Sequence, residues 1–192
     1  MDAHDAALIE GLRRRDASAF DAVYALHEPR VFRFLLRLAG RREVAEDLFQ
    51  ETWLKVARHA GDLAPDTDLV AWIFTIARNC YRSYRRWALL DLTRIAELGR
   101  EPLPPVPSPE KDAAARASAA AVSRAFSHLS APHREVLLLA AVEGLDTTQI
   151  ALVLGLTPEA ARQRLHRARS ELAGKLERED ASPRRAIQGG AR

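Results

Sequence analysis

Residues 101–109 read Glu-Pro-Leu-Pro-Pro-Val-Pro-Ser-Pro, and no other stretch limits the fold of this chain so strongly. Each proline ring fixes φ and removes an amide donor, which bars the segment from the interior of a helix or a sheet. The shift in composition around it marks residues 91–112 as a flexible, Pro-rich linker, able to span up to roughly 3 Å per residue. The chain is therefore expected to form two small domains, residues 1–90 and 113–178, with a flexible tail over 179–192. A hydrophobic content of 47% is enough to give folded domains rather than a disordered chain.

Both domains read as all-α, because apolar residues recur at helical spacing and no convincing strand alternation is present. Helices are expected over Asp5–Leu12 and Ala17–Leu26, the latter with Phe20, Val23 and Tyr24 at core spacing. Pro29 suits the first turn of a separate helix, Arg30–Ala39, with Val31, Phe34, Leu35 and Leu38 as its apolar stripe and Gly40 as its stop. A long amphipathic helix follows over Glu43–His59, then a loop over Gly61–Asp68. Asp68 can cap a helix running to about Trp87. In the second domain the helices are 113–128, 132–143, 147–154 and 158–177, and the end past Asp180, with Pro183, Gly189 and Gly190, reads as frayed.

Several function classes drop out. Cys80 is the only cysteine, which excludes an intramolecular disulfide and a cysteine-rich zinc site. No apolar run approaches the ~18–20 residues of a membrane span, and the N-terminus carries no signal-peptide pattern. A cytoplasmic protein without stable membrane insertion is expected. There is no Gly-rich phosphate loop and no His-Glu-x-x-His pair, and His4, His27, His59, His128, His133 and His166 are scattered. No catalytic residue, metal ligand or cofactor is expected. The net charge of +3 says little, but its distribution says more. Basic residues concentrate at 78–86 and 162–169, acidic ones at Glu43, Glu46, Asp47 and Glu51, which points to two kinds of partner.

The C-terminal basic cluster sits in a helix-turn-helix. Thr147–Leu154 forms the first helix, with the small Ala151 where two helices must cross closely. Gly155 occupies the turn where a positive φ is needed. The second helix, opening at Pro158, projects Arg162, Gln163, Arg164, His166, Arg167 and Arg169 outward. Such a helix can lie in a major groove with its arginines on base edges and phosphates. In residues 70–87, Arg78, Arg82, Arg85 and Arg86 recur at i, i+4, i+7 and i+8, a cationic stripe with aromatics and Asn79 nearby. Arginines neutralise phosphates and aromatic faces stack on unpaired bases, which suits melting DNA. A plain solvated helix face with core aromatics fits those residues equally well. In residues 43–58, Asp47, Gln50, Glu51, Leu54 and Lys55 share a face. A polar face interrupted by Leu54 is a docking surface or, again, a solvated face.

The segment Ala45-Glu46-Asp47-Leu48-Phe49-Gln50-Glu51-Thr52-Trp53-Leu54-Lys55-Val56 resembles the core-polymerase-binding helix of bacterial sigma factors. Ala71-Trp72-Ile73-Phe74-Thr75-Ile76-Ala77-Arg78-Asn79 resembles their promoter-melting segment. Leu129-Ser130, Arg134-Glu135-Val136-Leu137, Glu143-Gly144-Leu145 and Arg164-Leu165-His166-Arg167-Ala168-Arg169 together resemble their fourth conserved region. Two such domains with only this linker between them resemble the extracytoplasmic-function (ECF) subfamily.

The resemblance implies a promoter-specificity subunit of RNA polymerase rather than an enzyme. Asp47, Gln50, Glu51, Leu54 and Lys55 would grip the clamp helices of the β′ subunit. Trp72, Thr75, Arg78, Asn79, Arg82, Ser83, Arg85 and Arg86, with the loop at 60–68, would engage and melt the minus-ten element. Thr157, Glu159, Arg162, Gln163, Arg164, His166 and Arg167 would read the minus-35 element, and the second domain would lean on the β flap. An anti-sigma factor is an implied partner, able to hold the protein at the membrane. The chain departs from the family pattern at Ala57, where Trp or Tyr is usual, and at Ser83, where many relatives carry Asp. It departs again at Ala140-Ala141, where a basic residue often stands, and at Glu159-Ala160-Ala161 in place of Gly-Thr-Val. Glu159 favours the helix dipole but repels phosphate, and it can accept from a cytosine amino group. Two alternatives stay open: an autonomous helix-turn-helix regulator, and a sigma-like decoy that binds a regulator without starting transcription.

Overall fold

The computed structural model describes residues 3–90 and 113–188, so the expected linker lies outside the described residues. All regular structure among the described residues is helical. Helix α1 (Ala3–Arg13) turns back onto α2 (Ala17–Ala39) through Arg15, a non-glycine residue at φ 59°. Asp16 caps α2 by accepting from the Ser18 amide at 2.9 Å. Gly11 is required where the two helices meet, because a Cβ there would lie 2.5 Å from the Ala19 Cβ.

The proline at position 29 does not open a new helix. Residues Ala17–Ala39 form one helix with Pro29 inside it, which corrects the expected break. Val23, His27, Val31, Phe34, Leu35 and Leu38 are buried along one continuous face that runs through the proline. Burial of that stripe outweighs the amide donor that Pro29 lacks. Gly40 ends the helix as expected, in the left-handed region at φ 74° with its amide on the Leu36 carbonyl. Helix α3 (Arg42–His59) packs on α2 through Phe20, Tyr24, Phe32, Phe49 and Trp53, in mostly edge-on ring contacts of 4.7–6.4 Å. A short 3₁₀ turn, Ala60–Asp62, leads to α4 (Leu69–Leu90). Asp68 caps α4 by accepting from the Ala71 amide at 2.8 Å, and Phe74 meets Phe34 edge-on at 5.2 Å.

The C-terminal half contains α5 (Ala113–Ser127), α6 (Ala131–Leu137), α7 (Thr147–Leu154) and α8 (Pro158–Gln188). Two expectations change here. The helix expected over 132–143 widens into a π turn at Leu138–Val142, closed by Glu143 N–H on the Leu138 carbonyl at 3.1 Å. Val136, Leu137, Leu138 and Leu139 are all buried, so this segment is enclosed on every side rather than along one stripe. At the other end, α8 runs on past Asp180 and through Pro183 to Gln188, where fraying was expected.

The two halves touch. Helix α4 packs along α7, the π turn rests on α2, and one continuous cluster of buried residues extends from Leu8 to Ala168. No helix among the described residues is long and apolar enough to cross a membrane.

Candidate nucleic-acid and partner interfaces

The helix-turn-helix is built by local chemistry. Asp146 and Gln149 form a reciprocal capping box at the start of α7, with the Gln149 amide on Asp146 Oδ1 at 2.8 Å. Gly155 ends α7 at φ 65°, and the Leu156 amide donates to the Ala151 carbonyl at 2.9 Å. Thr157 then caps α8, accepting from the Ala160 amide at 3.2 Å, with Pro158 in the first helical position. Ala151, Ala161 and Ala168 are buried. Small side chains there let the helix surfaces approach closely.

On the opposite face of α8, Arg162, Gln163, His166 and Arg167 are exposed, as are Thr157 and Glu159, while Arg164 is half-buried. Glu159 lies beside residues expected to face DNA: its carboxylate pairs with Arg162 and accepts from Gln163 Nε2 at 3.3 Å. In the free chain its charge is thus spent on neighbours one turn along, and it orients two of the side chains that would read a groove.

The arginine stripe of α4 is divided. Asn79, Arg82, Ser83 and Arg86 are exposed, and Trp72, Thr75 and Arg85 are half-buried. The Thr75 hydroxyl donates to the Ala71 carbonyl at 2.7 Å, and Arg85 lies over the Tyr81 ring at 5.9 Å. Arg78 is only 8% exposed. Its Nε donates to Glu135 Oε2 at 2.9 Å and its Nη1 to the Val153 carbonyl at 3.2 Å, both in the other half of the chain. In this arrangement Arg78 faces protein, not solvent.

On α3, Asp47, Gln50 and Glu51 are exposed and Leu54 is 66% exposed. Lys55, half-buried, pairs with Glu51 at 2.7 Å. A cleft of about 310 Å³ separates α3 from the end of α4, lined by Val44, Asp47, Leu48, Glu51, Ser83, Tyr84 and Trp87. Ser83, which the sequence groups with the arginine stripe, therefore shares a wall with Asp47 and Glu51. Trp87 was not singled out from the sequence, yet it is half in solvent at 51% exposure. Its place at the end of an amphipathic helix, one residue past Arg86, carries no signal that separates a core ring from a surface one.

Cys80 is fully buried, and burial pushes its thiol above the ordinary range. That makes it a packing residue rather than a nucleophile. Among the described residues no three His, Cys, Asp or Glu side chains come together as metal ligands. The residues that sequence reasoning missed are those joining the halves. Glu143 has no exposed side-chain surface and is met by Arg30 at 3.5 Å and Arg33 at 3.4 Å. Gln149 Nε2 donates to Asp68 Oδ2 at 3.0 Å. The partners lie 81 to 113 residues apart, beyond the reach of any periodicity.

Comparison with known proteins agrees with this geometry. Residues 23–88 match the family described as Sigma-70 region 2, and residues 119–172 match Sigma-70, region 4. The chain is 35% identical over 177 residues to the RNA polymerase sigma factor CarQ of Myxococcus xanthus, covering 90% of this chain and 99% of CarQ. It is 33% identical over 165 residues to the ECF RNA polymerase sigma factor SigL of Mycobacterium tuberculosis, covering 84% and 91%. Among solved structures, CnrH in complex with the cytosolic domain of CnrY superposes with a TM-score of 0.68 at 26% identity, covering 90% of this chain and 97% of CnrH. The sigma factor RpoE in complex with the anti-sigma factor NepR from Bartonella quintana gives 0.70 at 25% identity, covering 82% and 96%.

Proposed function

The chain belongs to the extracytoplasmic-function sigma factors, which bind core RNA polymerase and direct it to promoters, and from that premise we propose which surface does what. The exposed face of α3, with Asp47, Gln50, Glu51, Leu54 and Lys55, takes the clamp helices of the β′ subunit. Leu54 is the anchor, since a leucine left in solvent gains about 1.5–3 kcal/mol when fully buried. The cleft bounded by Ser83 and Trp87 extends that surface onto α4. Asn79, Arg82, Arg85 and Arg86, with Trp72, Thr75, Arg78 and the loop at 60–68, serve the minus-ten element, where phosphate neutralisation and stacking favour opened strands. Helix α8 enters the major groove at the minus-35 element with Arg162, Gln163, Arg164, His166 and Arg167, and the C-terminal half leans on the β flap.

The family consists of initiation factors rather than enzymes, and we assign no chemistry to this chain: strand opening is binding energy, and bond formation belongs to the polymerase. It works in the cytoplasm, where polymerase and promoter are. An anti-sigma factor is its regulator, a reading supported by the RpoE neighbour solved with one bound. A membrane-held anti-sigma factor would place it at the membrane without inserting it.

The observation that carries this assignment is the coexistence of two exposed surfaces of opposite chemistry: an apolar anchor amid acids on α3 and a cationic reading face on α8. The test separates them. Leu54→Ala should weaken association with purified core polymerase tenfold or more while leaving minus-35 duplex binding unchanged. Loss of duplex binding with core association intact would reverse the assignment.

A further inference from the structure

Helix α8 opens with an acid, although its assigned partner is a polyanion. Glu159 lies in the first turn, one residue after Pro158, and its side chain is 62% exposed. Arg162 and Gln163 stand three and four residues on, so the three side chains share one face. The two oxygens of the carboxylate are divided between them. Oε2 pairs with Arg162 Nη1, and Oε1 accepts from Gln163 Nε2 at 3.3 Å. An ionised carboxylate offers no donor, so it turns the Gln163 amide one way, with the NH₂ towards Glu159 and Oε1 away from it. Arg162 keeps its other N–H donors, but its charge now has an opposite charge beside it. Exposed pairs of this kind add little to stability, so holding the fold is not what the arrangement is suited to.

Arginine and glutamine serve DNA in two ways. Either can hydrogen-bond a phosphate, which gains affinity for every sequence. Either can also meet a base edge with two hydrogen bonds, Arg on guanine and Gln on adenine, which gains affinity for one sequence. The second mode demands a set orientation and the first does not. A carboxylate on the same face opposes the phosphate mode by repulsion and favours the base mode by fixing its neighbours. We propose that Glu159 is a positioning residue for minus-35 reading: it acts through Arg162 and Gln163, withholds them from phosphates and presents them to base edges. It thereby raises discrimination while lowering overall affinity, and it makes no base contact of its own. This rests on the assignment of α8 to the major groove given above.

The test uses the full chain, in which this face of α8 is exposed. Wild type selects from a pool of randomised duplex DNA, and anisotropy across a salt series then gives its affinity for the selected duplex and for a scrambled one. Glu159→Ala should bind the scrambled duplex several-fold more tightly. Its plot of log affinity against log salt should be steeper by about 0.9, the slope of one further phosphate contact. Its discrimination between the two duplexes should fall tenfold or more. Simple loss of helix would weaken both duplexes together and steepen nothing. In an Arg162→Ala, Gln163→Ala background, Glu159→Ala should change the discrimination no further. Discrimination equal to wild type in the single variant overturns the proposal and leaves the assignment of α8 standing. A loss that persists in the double-variant background, confined to one C·G pair, overturns it in favour of a direct contact between Glu159 and a cytosine. If wild type selects no sequence at all, the assignment of α8 to the groove has failed and the proposal falls with it.

Discussion

Lowering the pH should destabilise this protein through one residue, His27. It lies on the buried face of α2 at 3% exposure, and its Nδ1 has no hydrogen-bond partner among the described residues. Burial first, and then the charge of Arg30, push its pKa from 6.5 down to about 4. The folded state thus keeps the imidazole neutral where the unfolded chain would protonate it. Because the folded pKa is depressed, the full stability is present above pH 6.5 and is lost as pH falls towards 4. The full shift corresponds to about 3 kcal/mol at 1.36 kcal/mol per pKa unit. Between pH 7.5 and 5 the linkage relation gives a loss of about 2 kcal/mol from this group. Paired carboxylates contribute their own loss at lower pH, so the comparison must be made against His27→Leu, which keeps the volume and removes the titration. Urea melts at both pH values should show wild type losing about 2 kcal/mol more than the variant. Equal losses in the two proteins would refute the reasoning, because they would mean that His27 reaches water or a partner when charged.

Other outcomes follow from single positions. Pro29→Ala should raise the midpoint of thermal unfolding, since it restores an amide donor inside a helix where proline costs up to ~3 kcal/mol; a fall would mean that the ring itself packs. Gly155→Ala should cost about 1 kcal/mol in chemical denaturation, all of it backbone strain at φ 65°, because nothing lies within 4 Å of an added Cβ. Arg162→Ala should weaken minus-35 duplex binding by about 1–3 kcal/mol in a filter or anisotropy assay, leaving core association intact; equal loss of both would mean its role is structural.

Local structure was legible where a local rule decides it. Gly40 and Gly155 had to be helix stops because the chain turns at a positive φ there, and both sit in the left-handed region. Asp68 could be recognised as a cap by type and place, and it accepts from the Ala71 amide, whereas Thr157, which the sequence offers only as a DNA-facing residue, proves also to cap its helix. The misreading at Pro29 came from weighing a local rule above a tertiary one: the proline is a poor helix residue, but the buried stripe from Val23 to Leu38 demands continuity. Arg78 shows the same limit at the candidate site. By spacing it belongs with Arg82, Arg85 and Arg86, yet its surroundings are set by Glu135 and Val153, which no pattern within α4 reveals. Ser83 shows the limit again. Its spacing on α4 groups it with the arginine stripe, and the packing of α3 against α4 also makes it part of a cleft wall shared with Asp47 and Glu51, which no pattern within α4 reveals. The π turn at Leu138–Val142 hides in an apolar run that fits an ordinary helix equally well.

The central claim, that this chain confers promoter choice on RNA polymerase, is tested most directly by in-vitro transcription with bacterial core polymerase on a pool of genomic promoter fragments, with and without the protein. The account expects transcripts that depend on the protein and share a pair of upstream motifs at minus-35 and minus-ten. Core polymerase that binds the protein yet produces no dependent transcript would contradict it and leave a sigma-like decoy. Duplex DNA retained without core, again with no transcript, would leave an autonomous regulator.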